Sequence, residues 1–303
     1  MRAGLLGIED LSRAHIDAIL ARSRDFQPPP NQPFGRFDFL RGRTIVNLFF
    51  EASTRTRTSF EIAARRLGAD VLSITASTSS ISKGESLVDT LNTLGAMRPD
   101  LIVMRHSASG APHFLSRYLP FPIVNAGDGT HEHPTQALLD ARTILDRRSS
   151  LENLHIAIIG DIDHSRVARS NIYLLSKFGA RIVLCGPASL LPEELKAIAP
   201  GVELTNDMCE AIRGVDVIMM LRVQLERQHE TPIPANEYFQ FYGLRLEHMS
   251  LAKPDAIVMH PGPINRGREI SSEVADSQRS VILNQVENGI AVRMAVLERI
   301  LGN

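Results

Sequence analysis

Short, continuous apolar segments alternate with amphipathic segments along most of this chain. The first clear apolar segment is RTIVNLFF, residues 43–50, which has the pattern of a buried strand. Apolar residues then recur at helical spacing, at Phe60, Ala63, Ala64 and Leu67. This spacing predicts a helix over about 55–67 that ends at Gly68, so the polar residues between the two segments lie where a strand leads into a helix.

The same alternation continues to the C-terminus. Further buried strands are predicted at 70–75, 100–105, 122–126, 154–160, 181–186, 215–221 and 255–260, with helices between most of them. A last helix is predicted over 285–301, with an apolar stripe of Val286, Ile290, Met294 and Leu297. Continuous apolar strands separated by helices indicate parallel sheets that are covered on both faces. We therefore predict an α/β fold of two doubly wound parallel-sheet domains, with a cleft between them that the strand C-termini face.

Composition excludes several classes of protein. The 303 residues contain 33 Lys+Arg against 34 Asp+Glu, so nucleic acid is not an expected partner. Cys185 and Cys209 have no metal-binding spacing and are expected to be buried, reduced thiols. No apolar segment is long enough to span a membrane, and the N-terminus lacks the apolar centre of a signal peptide. These features predict a cytoplasmic protein.

Ser53, Thr54, Arg55, Thr56 and Arg57 follow the 43–50 strand directly. Serine and threonine are common helix N-caps, but capping explains one hydroxyl rather than this whole turn. A helix N-terminus offers free N–H groups and the positive end of the helix dipole, to which these side chains add further donors. The segment therefore predicts a phosphate-binding site.

The segment TASTSSISKGES, 75–86, has no apolar face and contains Ser79, Ser80 and Lys83. Its composition fits a solvated loop and fits equally well a lid that excludes water when a ligand binds. The residues alone leave both interpretations open.

Other polar groups follow predicted strands in the first half of the chain. Arg105 ends the 100–105 strand, where a guanidinium can bind phosphate or carbonyl oxygen. His131, His133 and Gln136 surround Pro134 at a helix start. A zinc site is not expected there, because neither an HExxH motif nor a cysteine partner is present. We predict instead that His133 donates a hydrogen bond to a substrate oxygen.

The second half begins with IIGDIDHSRVARS, 158–170, in which Gly160 follows a strand and precedes a helix. The further glycines of a dinucleotide-binding motif are missing, so NAD binding is not expected. Arg166 lies in the first helical turn, where a cation opposes the helix dipole unless an anion is bound. Arg169, on the same helix, is the alternative arginine, for which an ordinary structural role is expected. Arg222 and Gln224 follow the 215–221 strand and are also predicted to face the cleft.

The segment VMHPGPINRGREI, 258–270, contains two prolines that lack N–H groups and keep their carbonyls. Such a segment suits a ligand NH₂ group, with the carbonyls of Gly262 and Pro263 as acceptors. Together these clusters offer binding groups for a phosphate, a carbonyl oxygen and an NH₂ group. The two arginines Arg166 and Arg222 could bind a dicarboxylate. This combination describes carbamoyl phosphate reacting with an amino diacid.

The motifs STRTR, SKGES, HPTQALLD, GDxxxSRVARS, LRVQxER and HPGPINRG occur in this order over nearly the full length. In this respect the chain resembles the catalytic chains of the aspartate carbamoyltransferase family, which serve bacterial pyrimidine synthesis. The related ornithine carbamoyltransferases share STRTR, but they typically carry a cysteine in the loop that reads His260–Pro263 here. The resemblance implies a carbamoyl phosphate-binding domain, 1–134 with the C-terminal helix 285–303, and an aspartate-binding domain, 135–284.

The resemblance also implies a role for each matching residue. The phosphate would be held by Ser53, Thr54, Arg55 and Thr56, assisted by Arg105 and Gln136. The carbamoyl oxygen would be polarised by Thr56, Arg105 and His133, and its amino group received by the carbonyls of Gly262 and Pro263. L-Aspartate would be bound by Arg166, Arg222, Gln224 and Lys83. No metal or cofactor is implied.

In this family a serine and a lysine of the mobile loop enter the site of an adjacent subunit. Lys83 matches the lysine, and Ser79 or its neighbour Ser80 matches the serine. The resemblance thus implies a homotrimer with shared active sites, which a regulatory chain or a dihydroorotase could join. Two other functions stay open: a carbamoyltransferase for another amine, such as ornithine, and a non-catalytic protein that binds a phosphorylated metabolite.

Overall fold

A computed structural model describes residues 4–29, 31–75, 87–223 and 234–302. The chain divides into two compact units, Met1–Leu139 with Glu287–Asn303, and Asp140–Val286. Each unit contains one five-stranded sheet in which all neighbouring strands are parallel. The predicted α/β class with two parallel sheets is confirmed. No helix of the described residues is both long and apolar enough to cross a membrane.

The first unit, unit 1, alternates strands and helices from its start. Its elements are β1 Gly4–Leu5, α1 Arg13–Phe26, β2 Thr44–Phe49, α2 Thr54–Arg66, β3 Asp70–Thr75, α3 Leu87–Ala96, β4 Leu101–His106, α4 Ala111–Ser116 and β5 Ile123–Asp128. Helices α5, Pro134–Leu145, and α10, Ile282–Leu301, are divided between the two units.

The second unit, unit 2, has the same alternation with shorter helices. Its elements are β6 His155–Ile159, α6 Arg166–Ser176, β7 Arg181–Cys185, β8 Val202–Thr205, α7 Met208–Ala211, β9 Val217–Met220, α8 Ala235–Tyr242, β10 Ile257–Met259 and α9 Ser272–Ala275. Within its described residues, unit 2 also has 3₁₀ helices at Ala188–Leu190, Glu193–Ala197 and Leu246–Ser250.

The order of strands decides where each sheet can bind a ligand. The sheet of unit 1 has the order β1-β5-β4-β2-β3, so the chain leaves β2 to one side for β3 and returns to the other side for β4. The sheet of unit 2 has the order β10-β9-β6-β7-β8, with the same reversal between β6 and β9. At such a switch point, the loops after the two neighbouring strands diverge and leave a crevice at the carboxyl edge of the sheet.

Burial explains why these segments form strands and helices. All of β6 except its first residue is buried, as is all of β4 except its last, as expected for strands covered on both faces. In α2 the apolar residues Phe60, Ala63 and Ala64 are fully buried, as the spacing predicts. Gly68 follows with a φ of +86°, and a Cβ there would lie 3.0 Å from the carbonyl oxygen of Phe37. Glycine therefore ends this helix.

Some sequence predictions are wrong in detail. The last helix begins at Ile282 rather than 285, and Val286 is 52% exposed, so it does not belong to the buried stripe. Gln285 and Asn288 are buried there instead. Cys185 is buried in β7, where burial raises the pKa of its thiol to about 12, but Cys209 is exposed on the four-residue α7.

Candidate active site

The serine- and threonine-rich segment of unit 1 lies at the N-terminus of α2, immediately beyond β2. Ser53 is the N-cap residue, yet its side chain makes no capping hydrogen bond. Thr54 and Arg55 are exposed and Thr56 is buried. Arg57 Nε lies 3.8 Å from Oε1 of Glu61, one helical turn further on. This is an ordinary ion pair at the protein surface. Helix capping therefore does not use the Ser53 hydroxyl.

Arg105 reaches the same edge of the sheet from β4. It pairs with Phe49 in the parallel register of β2 and β4, so it lies beside the start of the Ser53 segment. Its side chain is 10% exposed. The guanidinium donates to Glu51 Oε1 at 2.6 Å and to the carbonyl oxygen of Ala126 at 3.2 Å. Glu51 holds this guanidinium in place. Sequence reasoning missed Glu51, although it is the one acidic residue between the strand and STRTR.

A buried carboxylate shapes the turn that leads to His133. Asp128, at the end of β5, accepts from the Asn125 side chain and from the Glu132 N–H on Oδ1, at 2.8 and 3.1 Å. On Oδ2 it accepts from Gly110 N–H at 2.7 Å and lies 3.0 Å from His131 Nδ1. Hydrogen bonds lower the pKa of Asp128 despite its burial, which opposes them, and Asp128 raises the pKa of His131.

His133 and Gln136 follow this turn at the start of α5. Both are buried, and the His133 carbonyl accepts from the N–H groups of Gln136 and Ala137 at 2.9 and 3.3 Å. Since β5 neighbours β4, the sheet brings this helix start to the edge that carries Arg105. The predicted residues thus lie at or just beyond the carboxyl ends of adjacent strands: Arg105 within the last two residues of β4, and Ser53–Thr56, His133 and Gln136 after β2 and β5.

His131 lies in a cluster with His113 and Asp128. One potential metal-binding atom from each of His113, Asp128 and His131 lies within 4.8 Å of the others. Both oxygens of Asp128 are already engaged by two donors each, whereas Nδ1 of His113 is buried without a hydrogen-bond partner among the described residues. The bonds of Asp128 to Glu132 and His131 hold the turn before His133.

In unit 2, Arg166 is the first residue of α6, which follows β6. The N-cap Ser165 accepts from Ala168 N–H at 3.1 Å, and the Arg166 side chain is buried. Arg169, one turn on, donates to the Asp163 carbonyl oxygen at 2.6 Å. The two arginines differ in their surroundings: Arg169 bonds to the local turn, whereas Arg166 is buried at the helix start.

Arg222 follows β9, the neighbour of β6, and is half-buried. The preceding Leu221 N–H donates to the Ile159 carbonyl oxygen at 2.8 Å, so β9 stays paired to β6 up to this point. Arg166 and Arg222 thus follow the two strands at the switch point of this sheet. Gln224, Ser79, Ser80 and Lys83 lie outside the described residues.

The proline-rich segment of unit 2 follows β10. His260 is buried, Gly262 is half-buried and Pro263 is exposed. Gly262 adopts a φ of +67° and donates its N–H to His260 Nδ1 at 2.8 Å. Two polar partners of His260, Glu269 and Gln285, were missed by sequence reasoning. The only sequence signal for Gln285 is an amide within an amphipathic helix.

Comparison with known proteins identifies the family. The family model described as "Aspartate/ornithine carbamoyltransferase, carbamoyl-P binding domain" matches residues 4–146. The model described as "Aspartate/ornithine carbamoyltransferase, Asp/Orn binding domain" matches residues 152–300. The aspartate carbamoyltransferase catalytic subunit of Solibacter usitatus is 78% identical over 302 residues, which cover 100% of both chains. That of Syntrophotalea carbinolica is 55% identical over 299 residues, covering 98% of this chain and 95% of the other.

Solved structures of similar proteins include both branches of this family. Aspartate transcarbamoylase from Trypanosoma cruzi, in complex with aspartate and phosphate, is 33% identical with a TM-score of 0.87, covering 99% of this chain and 97% of that one. Ornithine carbamoyltransferase from Pyrococcus furiosus has the same TM-score and coverage at 28% identity. The fold alone therefore does not separate the two activities. The chain belongs to the aspartate/ornithine carbamoyltransferase family.

Proposed function

We propose that this chain is an aspartate carbamoyltransferase, which transfers the carbamoyl group from carbamoyl phosphate to the amine of L-aspartate. The products are N-carbamoyl-L-aspartate and phosphate, as needed early in pyrimidine synthesis. The observation that carries the choice of aspartate is the 78% identity, over the full length of both chains, to an aspartate carbamoyltransferase catalytic subunit. A second sign is the loop His260-Pro-Gly-Pro263, which lacks the cysteine typical of the ornithine enzymes.

Charge explains how the reaction would proceed. The neutral amine of aspartate attacks the carbamoyl carbon, and negative charge develops on the carbamoyl oxygen. Donors already aimed at this oxygen stabilise the transition state more than the ground state. We assign that role to Thr56, Arg105 and His133. As the tetrahedral intermediate collapses, the C–O bond to phosphate breaks, and the departing phosphate can accept the proton of the amine.

The remaining residues would bind and orient the substrates. We assign the phosphate to the α2 N-terminus, through Ser53, Thr54, Arg55 and Thr56, with Arg105 and Gln136 assisting. The helix dipole and free N–H groups at this position favour a dianion. We assign the two carboxylates of aspartate to Arg166 and Arg222, with Gln224 and Lys83. Binding both reactants on one enzyme makes their encounter effectively unimolecular.

We also propose a homotrimer in which Ser79 and Lys83 complete the site of the adjacent subunit. A regulatory chain or a dihydroorotase could join this trimer. We further propose that the enzyme works in the cytoplasm, where the free thiols of Cys185 and Cys209 would remain reduced.

Product analysis tests the activity. Purified protein with carbamoyl phosphate and L-aspartate should yield N-carbamoyl-L-aspartate, whereas L-ornithine in its place should yield no citrulline. Citrulline as the main product would show that the amine has been misassigned. Lys83→Ala should still bind carbamoyl phosphate but lose turnover, and retained turnover would contradict the role of Lys83. A purely binding protein would give neither product.

Mixing two inactive variants tests the shared site. Lys83→Ala and Arg105→Met each remove one contribution to a site that two subunits build. Hybrid trimers should recover activity, because some sites then receive Lys83 from one subunit and Arg105 from another. A native mass of three chains should accompany the recovery, and no recovery after mixing would contradict the shared site.

A further inference from the structure

A chain of buried polar side chains runs through unit 2 and ends at the 260–263 segment. Asn171 donates from Nδ2 to Asp140 Oδ2 at 2.8 Å. Gln285 donates from Nε2 to Asp140 Oδ1, also at 2.8 Å. The other end of the Gln285 amide, Oε1, accepts the His260 N–H at 2.9 Å. This amide therefore links the backbone of the loop to a buried carboxylate.

The His260 ring continues the chain into the loop. Its Nδ1 accepts the Gly262 N–H at 2.8 Å, so the ring hydrogen lies on Nε2. Nε2 lies 3.2 Å from Glu269 Oε1, which also accepts the Asn265 N–H at 2.6 Å. The ring thus fixes the peptide that precedes Gly262, while Glu269 fixes the ring and the loop beyond it.

Packing alone does not require these residue types. Asp140, Asn171, Gln285, His260 and Glu269 are each at most 2% exposed. Burial of polar groups is unfavourable unless they are hydrogen-bonded, and apolar side chains of similar size would fill the same space without that cost. What a hydrogen-bonded chain adds is a defined orientation for the backbone that it holds. Here that backbone carries the Gly262 and Pro263 carbonyls.

We propose that Gln285 and His260 are positioning residues for the carbamoyl amino group, because they orient the two carbonyls that accept its N–H bonds. This proposal rests on the proposed function. It makes the 260–263 segment the part of the site that distinguishes an amide from a group of the same shape without N–H bonds. Gln285 touches no substrate atom itself and acts through the His260 backbone.

Acetyl phosphate supplies the test, because a methyl group replaces the NH₂ of carbamoyl phosphate. The affinities of carbamoyl phosphate, acetyl phosphate and inorganic phosphate are measured by titration calorimetry without aspartate. In Gln285→Met, we expect carbamoyl phosphate to bind roughly 2- to 10-fold more weakly, the effect of one impaired neutral hydrogen bond. Binding of acetyl phosphate and inorganic phosphate should be unchanged, so the preference for the amide should fall by the same factor.

The neighbouring Asn284 gives a matched control, since it is an amide on the same helix but is exposed. Asn284→Leu should keep the wild-type preference. A Gln285→Met protein that keeps the preference, or that loses affinity for all three ligands equally, overturns the proposal. If wild type itself shows no preference for carbamoyl over acetyl phosphate, the amide assignment of the proposed function fails as well. The wild-type measurement therefore distinguishes failure of this proposal from failure of the proposed function.

A second pair of variants covers the case in which Gln285→Met does not fold. His260→Asn places an amide oxygen near the position of Nδ1, where it can accept the Gly262 N–H. His260→Phe keeps a ring and removes this acceptor. We expect the preference to persist in His260→Asn and to fall in His260→Phe, and equal behaviour of the two variants would contradict the proposal.

Discussion

Replacement of Asp128 by asparagine tests whether this carboxylate builds the turn before His133. Asparagine keeps one oxygen, which can still accept from Asn125 and from the Glu132 N–H. Its NH₂ group can donate to a neutral His131. The Gly110 N–H, which donates to Asp128 Oδ2 at 2.7 Å, would then face a donor and lose its partner.

The magnitude follows from these contacts. The Gly110 N–H is part-buried, and losing its hydrogen bond to a charged acceptor costs about 1.5–3 kcal/mol, while the remaining bonds also lose their charged acceptor. Together these effects should lower the free energy of unfolding by about 3 kcal/mol. We also expect turnover to fall, because the displaced turn leads directly into His133.

Urea unfolding at pH 7 measures the effect, with Asp276→Asn as the control. Asp276 forms a bidentate pair with Arg266, but both side chains are largely exposed, so that variant should lose less than about 1 kcal/mol. If Asp128→Asn were no less stable than Asp276→Asn, the structural role given to the buried carboxylate would be refuted. Full turnover in a destabilised Asp128→Asn would refute its link to His133.

Three further outcomes test the site and its electrostatics. Arg105→Met should lower kcat by about 10²–10³-fold, the usual cost of losing one donor to the transition state, and an unchanged kcat would contradict its catalytic role. Arg166→Met should raise the KM for aspartate by about 10- to 100-fold, because a hydrogen bond to a charged group is lost. Arg169→Met should leave this KM unchanged. Equal effects of the two variants would contradict the assignment of aspartate binding to Arg166. Because Asp128 raises the pKa of His131, the stabilisation by this pair is complete below a pH of about 6.5 and is lost as pH rises through the raised pKa. His131→Gln should therefore destabilise the protein more at pH 6 than at pH 9 in urea unfolding, and the opposite order would contradict the assignment.

The sequence predicted the central strands and two of the four edge strands, β3 and β10, but missed the other two. β2, β4, β6 and β9 are central, so they are covered on both faces and appear as continuous apolar runs. β1 has only two residues and β8 is half-exposed, and neither was predicted. Both lie at a sheet edge, where one side of the strand makes no sheet pairing and the apolar pattern is weak.

The groups that hold the site residues in place were not predictable in the same way. Glu51 is adjacent to the phosphate-binding segment, but its partner Arg105 is 54 positions away. Gln285 and Asp140 are 145 positions apart, and each looks like an ordinary polar residue within a helix. Hydrophobic periodicity reports which face of an element is buried; it does not report which polar groups meet inside.

By itself the sequence determined the class of fold, the family and the residue types at the strand ends, because these depend on local patterns and on motifs that are contiguous in the chain. The tertiary structure decided the order of strands, and with it the two switch points where those residues gather. It also decided which buried polar side chains pair with one another. Such pairs depend on hydrogen-bond distances of about 3 Å between residues remote in sequence, and only the folded chain sets those distances.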